Sequence, residues 1–202
     1  LGGGVSTYGY VGGNPISGSD PFGLWDTDTH TRLFYAALGP CGVSPTMIAA
    51  IASASALWDS QTGLSPAMSN WHAMAIPGQS YEDAIQGTNQ DISTSLRLAQ
   101  NDWTLIQNAN GGALSSTYAA FIMDFARAGH ALEDSTSPAH RDQDGLPYTW
   151  PSFPNALFHG DVLRSYSHET WAQMTPDLLQ KNIDMVQNAW GQATGNKCGC
   201  HK

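Results

Sequence analysis

The segment GHALEDSTSPAH, Gly129 to His140, sets His130, Asp134 and His140 at spacings that suit a metal cluster. On a helix, residues four apart sit one turn apart on one face, so His130 and Asp134 would turn an imidazole and a carboxylate toward one spot. Ser137-Pro138 ends such a helix, because Pro disfavours helical backbone in the residue before it, and His140 can then return from a loop. Two nitrogens and an oxygen converging in this way suit Zn²⁺. A His and an Asp one turn apart also form ordinary buried hydrogen-bonded pairs, so the spacing alone leaves both readings open. The company of the other histidines favours the metal. Of seven His, all but His201 near the end have an acid or a Trp close by: His30 after Trp25, His72 after Trp71, His159 before Asp161 and His168 beside Glu169. In a chain with only 12% charged residues, that pairing does not read as a random surface.

The elements that must position these residues read as helices. Apolar spacing predicts them at about Thr29–Leu38, Pro45–Leu57, Tyr81–Ile106, Ser115–Glu133, Asn155–Met174 and Asp177–Trp190. Ser80 before Tyr81-Glu82-Asp83, and Thr175-Pro176-Asp177, supply N-caps with acids in the first turn. The Asn- and Gly-rich stretch Asn108–Gly112 reads as a loop between two of the helices. No internal repeat or low-complexity tract occurs. The expectation is an all-α helical bundle whose ligands come from several helices and loops. Asp26, Asp28, Asp124, Glu133, Asp142 and Asp144 are expected as solvated or capping carboxylates. The aromatics Phe34, Tyr35, Tyr118, Phe121, Phe125, Trp150, Phe153 and Phe158 are expected mostly in the core, with Trp150–Phe153 in a loop that could border a cleft.

Trp25–His30, Asp59, Trp71-His72, His130xxxAsp134xxxxxHis140 and Glu169–Ala172 together resemble the ligand order of the zinc-dependent phospholipase C family, related to the S1/P1 nucleases. The resemblance spans Trp25 to about Ala172. It implies a bundle of that type holding up to three Zn²⁺. One would be bound by Asp59, His72, His130 and Asp134. A second would be bound by the α-amino group and carbonyl of Trp25, by His30 and by a bridging Asp134. The third would fall to His140, Glu169 and one more His. Here the sequence departs from the family's HxxxE pattern, since Ser165 stands four residues before Glu169. His159 is the preferred substitute and His168 the alternative, because adjacent helical residues point about 100° apart and His168 could not readily share an ion with Glu169. Asp59 is the residue that the resemblance makes the orienting or deprotonating group for an attacking water.

The first 24 residues differ in character, being rich in Gly, Ser, Asn and Pro without an apolar run long enough for a signal peptide. Tyr8–Pro15 followed by Asp20-Pro21-Phe22-Gly23-Leu24 resembles the end of the core of Rhs (YD-repeat) polymorphic toxins, whose β-shell encloses a C-terminal toxin. In that family the chain cuts itself after the DPxGL motif, here between Leu24 and Trp25. Self-cleavage would expose the α-amino group that the second zinc set requires, so the two resemblances agree on one peptide bond. The implied organisation is the end of an Rhs core over residues 1–24 and a toxin domain over 25–202. The implied setting is a secreted effector, carried by a bacterial secretion system into a target cell and countered by an immunity protein.

With 202 residues and 41% apolar composition, the chain is long enough for one core. No run approaches the ~20 apolar residues of a membrane span. Three Cys are too few for a disulfide framework; Cys41 could pair with Cys198 or with Cys200, and cysteine usage leaves the redox compartment open. A net charge of −9 with only eight Lys and Arg argues against a nucleic-acid-binding surface and favours zwitterionic over anionic lipid. No GxSxG or GxxxxGK[ST] sequence offers a competing chemistry. The expected activity is hydrolysis of phospholipid head-group phosphodiesters at a membrane surface. A zinc-dependent single-strand nuclease on the same scaffold is the nearest alternative, and a non-catalytic domain with a structural metal is another.

Overall fold

A computed structural model describes residues 27–62, 66–109, 115–138, 140–149 and 171–198. Among the described residues there are five α-helices: α1 (Thr27–Leu38), α2 (Pro45–Thr62), α3 (Tyr81–Asn108), α4 (Ser115–Asp134) and α5 (Pro176–Thr194). Short 3-10 turns occur at Gly39–Cys41, Pro66–His72 and Trp171–Gln173. Among the described residues there is no strand, only two isolated bridges, Ala75 with Thr149 and Arg141 with Pro147. The described architecture is all-α. Of the predicted Asn155–Met174 helix, only the end lies in the described residues, and there Trp171–Gln173 is a 3-10 turn.

The caps read from sequence hold their helices. Ser80 Oγ accepts from the Asp83 backbone N–H at 3.1 Å, and Thr175 Oγ1 accepts from that of Leu178 at 3.2 Å with Pro176 at the first helical turn. Helix α5 runs past the expected Trp190 because Gly191 is tolerated inside it; the left-handed residue that ends it is Gly195, at φ 73°, whose N–H bonds the Gly191 carbonyl. Helix α2 likewise continues to Thr62, its last turn polar and so invisible to an apolar count.

The core is built from one face of each helix: Phe34, Ala37 and Leu38 of α1, Ile48 and Ile51 of α2, Leu96 and Ala99 of α3, Phe121 and Phe125 of α4, and Val186 and Trp190 of α5. Trp190 meets Phe125 edge-on at 5.3 Å between ring centroids and Phe121 at 5.8 Å, offset geometries that suit aromatic quadrupoles. Tyr35 and Tyr118, expected in the core, are exposed, and the Tyr35 hydroxyl donates to the Pro45 carbonyl at 3.3 Å. Helix α4 changes character along its length. Its first half buries one stripe, whereas Ala126, Ala128, Gly129, His130, Ala131, Glu133 and Asp134 are all buried, so its C-terminal half is enclosed on several sides. A disulfide joins Cys41, just after α1, to Cys198, just after α5, and so selects Cys198 from the two pairings open in the sequence.

Candidate metal centre

Four segments converge on the C-terminal turn of α4. His130 and Asp134 lie one turn apart on that helix, as their spacing requires, and α1 contributes His30. His72 ends the 3-10 turn Pro66–His72 and is followed by Ala73 in the left-handed region at φ 53°, a kink that reverses the chain beside the site. The neighbouring Trp71 is clamped from outside by Arg127 of α4, whose guanidinium lies 3.8 Å from the Trp71 ring centre. His140 comes from the loop after α4. Its backbone accepts from Tyr148 N–H at 2.8 Å, the Tyr148 carbonyl accepts from Ala75 N–H at 2.9 Å, and Asp142 Oδ1 caps the intervening turn through the N–H groups of Asp144 and Leu146. That ladder ties the His140 loop to the His72 turn.

All five side chains are fully or almost fully buried. Asp134 is their hub. Its Oδ2 lies 3.0 Å from His72 Nδ1, 3.2 Å from His130 Nε2 and 3.7 Å from His140 Nδ1, while Oδ1 lies 3.8 Å from His30 Nε2. His72 Nδ1 and His130 Nε2 are themselves 3.1 Å apart. Three donor atoms on edges of 3.0, 3.1 and 3.2 Å form a nearly equilateral triangle. Ligands about 2.0–2.1 Å from a tetrahedral Zn²⁺ stand roughly 3.3 Å from one another, so this triangle is close to one face of such a shell. One ligand atom each from His30, His130 and Asp134 also falls within a common span of 4.8 Å, and this buried group could hold a metal ion.

Further contacts set the rings of His30, His130 and His140, and for His30 and His130 they fall on the nitrogen turned away from Asp134. His30 Nδ1 meets Glu133 Oε2, which leaves Nε2 on the side of Asp134. His130 Nδ1 meets Ser55 Oγ of α2 at 3.1 Å, which turns Nε2 inward. His140 Nδ1–H donates to the His72 carbonyl. His72 is reversed, with Nδ1 toward Asp134. Lone pairs of nitrogen and carboxylate oxygen crowded at such distances repel unless a proton or a cation lies among them, and burial excludes the water that would otherwise screen them.

Charge states match that donor set. Burial depresses the His72 pKa to about 4, partly opposed by its hydrogen bond with Asp134, and burial together with nearby His130 holds His30 well below its ordinary value. These rings are neutral near pH 7, the form that ligates metal. Burial pushes Asp134 upward, but His130, His140 and the hydrogen bonds from His130 and His72 outweigh it and hold the carboxyl well below the usual carboxylate range.

Thus the structure brings together His30, His72, His130, Asp134 and His140. Asp59 follows Ser55 by one turn of α2, and only its helical backbone is described. Trp25, His159, His168 and Glu169 lie outside the described residues, as do Leu24 and the Asp20-Pro21-Phe22-Gly23 segment. Glu133 corrects the sequence expectation: it is wholly buried against His30 and is not a solvated carboxylate. Ser55 was also invisible as a site residue. The signal that could have found Glu133 is the set of small residues Ala126, Ala128, Gly129 and Ala131, which lets neighbouring elements close on several sides of the helix and so makes a polar side chain one turn after Gly129 an internal one. The chain matches no family model, no curated protein and no solved structure.

Proposed function

We propose that residues 25–202 form a zinc-dependent phosphodiesterase of the phospholipase C kind, released as a toxin domain from an Rhs core by cleavage between Leu24 and Trp25. The observation that carries the metal-dependent reading is the near-equilateral triangle of His72 Nδ1, His130 Nε2 and Asp134 Oδ2. Asp134 is placed to serve two sets with its two oxygens, Oδ2 toward His72 and His130 and Oδ1 toward His30. Zn²⁺, when bound, supplies Lewis acidity that polarises a phosphoryl oxygen and makes water acidic enough to lose its proton near neutral pH.

The protein's own residues do the rest. Neutral His30 and His72 and ionised Asp134 supply ligands that need not shed protons at pH 7. Ser55 and the His72 carbonyl fix the rings of His130 and His140. Asp59 is the candidate to orient the attacking water and take up its proton. His159, or His168, with Glu169 would complete a third set beside His140. The substrate reading rests on the ligand order from Trp25 to Ala172 and on the scarcity of Lys and Arg, which favours a zwitterionic lipid head group over a nucleic-acid strand. While Leu24 stays bonded to Trp25 the α-amino group is an amide and cannot ligate, so the uncut chain should be latent.

The test compares the uncut chain with one beginning at Trp25, with and without added Zn²⁺, on phosphatidylcholine vesicles and on single-stranded DNA, with His130→Ala as control. Zinc-dependent release of phosphocholine by the shorter chain, lost in the variant, is the expected result. DNA cleavage alone would transfer the site to a nuclease. Tight metal with neither activity would make the metal structural, and equal activity of the two chains would sink latency.

A further inference from the structure

His30 differs from the other histidines in what holds its outer nitrogen. On His130 that nitrogen meets a hydroxyl, and on His140 a main-chain carbonyl meets the nitrogen on the Asp134 side, whereas His30 Nδ1 meets a carboxyl group, Glu133 Oε2. Both partners are completely buried, and they come from different helices, α1 and α4. Glu133 precedes the hub Asp134, yet neighbouring residues on a helix point about 100° apart, so the two carboxylates can address opposite sides of one imidazole. The structure shows this division: Glu133 meets Nδ1, and Asp134 Oδ1 stands 3.8 Å from Nε2.

Burying a carboxylate is costly unless it is well hydrogen-bonded, so a wholly enclosed Glu in the last turn of α4 calls for a role that a Gln or an apolar residue would not fill. An anionic acceptor on one ring nitrogen fixes the tautomer and raises electron density on the other, making it a stronger ligand. A hydroxyl or a carbonyl does the first and less of the second.

We propose that Glu133 is the positioning residue of His30: it keeps the proton on Nδ1, fixes the ring plane, and makes Nε2 the metal-binding nitrogen. This rests on the metal-dependent reading above, but its first consequence does not need a metal. The full 202-residue chain, with ¹⁵N-labelled histidine, should show His30 protonated on Nδ1 in the metal-free state. A proton on Nε2 would overturn the proposal. In Glu133→Ala the preference should be lost, and in Glu133→Gln, whose Oε1 still accepts, it should be retained. Co²⁺ titration of the three proteins, followed by visible absorption, then reads ligand strength. Glu133→Ala should bind roughly 10–100-fold more weakly and Glu133→Gln should fall between.

The outcomes separate the two readings. A wild-type chain that binds no Co²⁺ or Zn²⁺ while His30 carries its proton on Nδ1 would defeat the metal-dependent function and leave the positioning role standing. Wild-type binding with unchanged affinity in Glu133→Ala would defeat the positioning role alone. Loss of a whole equivalent of metal in both variants would make Glu133 a ligand and would also overturn it.

Discussion

Phe34 occupies the space that a side chain at position 129 would need. A β-carbon on Gly129 would stand 2.7 Å from Phe34 Cε1 and 2.8 Å from Cζ, closer than real contacts allow. Phe34 lies one turn after His30 on α1, and Gly129 directly precedes His130 on α4, so this contact sets how near the two helices bring their imidazoles. The rings of His30 and His130 stack at 4.7 Å between centroids.

Gly129→Ala should therefore destabilise the protein even though Ala is the better helix former by about 1 kcal/mol. Overpacking of a filled core costs about 1–3 kcal/mol, and the displaced Phe34 ring pushes α1 outward. Urea unfolding should show a lower midpoint at unchanged slope, with weaker metal binding alongside. A midpoint at or above that of the wild type would show that the ring moves aside without cost.

Asp134→Asn keeps the shape of the hub and removes its charge. Since both oxygens face imidazoles, the variant should lose metal affinity by more than the ~10–100-fold typical of an outer-shell change. Metal content after dialysis checks this. Stoichiometric zinc in the variant would move the centre elsewhere.

Metal-free protein should be acid-labile over a defined window. His72 titrates near 6.5 when unfolded and near 4 when folded, so between those values the unfolded chain binds more protons and a falling pH favours unfolding. Stability is full above about pH 6.5 and falls by about 3 kcal/mol toward pH 4 through this group. His30 acts in the same direction, whereas depressed Asp134 gives up its contribution only as the pH falls below 3.8. Chemical unfolding of chelator-treated protein at pH 7.5, 5.5 and 4.5 measures the slope. A flat profile would contradict neutral buried imidazoles.

Reduction of Cys41–Cys198 should lower the melting temperature. The bridge spans 157 residues, and such links contribute typically about 2–4 kcal/mol. For a domain of this size that corresponds to roughly 5–15 °C. Calorimetry with and without reductant, using Cys41→Ser as the control, tests it. Equal melting of oxidised and reduced protein would remove the bridge from the stability of the fold.

The helices were largely legible because α1, α3, α4 and α5 carry periodic apolar faces and α2 is an Ala- and Ile-rich run, and two announce their starts with Ser80 and Thr175 caps. Their ends were less so. The polar last turn of α2 and the internal Gly191 of α5 gave no apolar signal for continuing. At the site, His130 and Asp134 are a local relationship that spacing alone can express. The Glu133–His30 contact joins residues 103 positions apart and depends on how α1 lies against α4, which no local pattern encodes. Tyr35 and Tyr118 err in the opposite sense: an aromatic on a helix reads as core, although a hydroxyl makes the outer face acceptable.

The contacts of the site join residues 58, 62, 68, 75 and 103 positions apart, and no two adjacent segments suffice to form it. Long-range closures of this kind come late, since loop entropy must be overcome before they contribute. On the proposed metal-dependent reading, ion capture would then be among the last events of folding, and its rate would report completion of the whole domain. An extended chain passing through a narrow conduit would travel without an assembled centre, and would acquire one only where it can fold and find its ion.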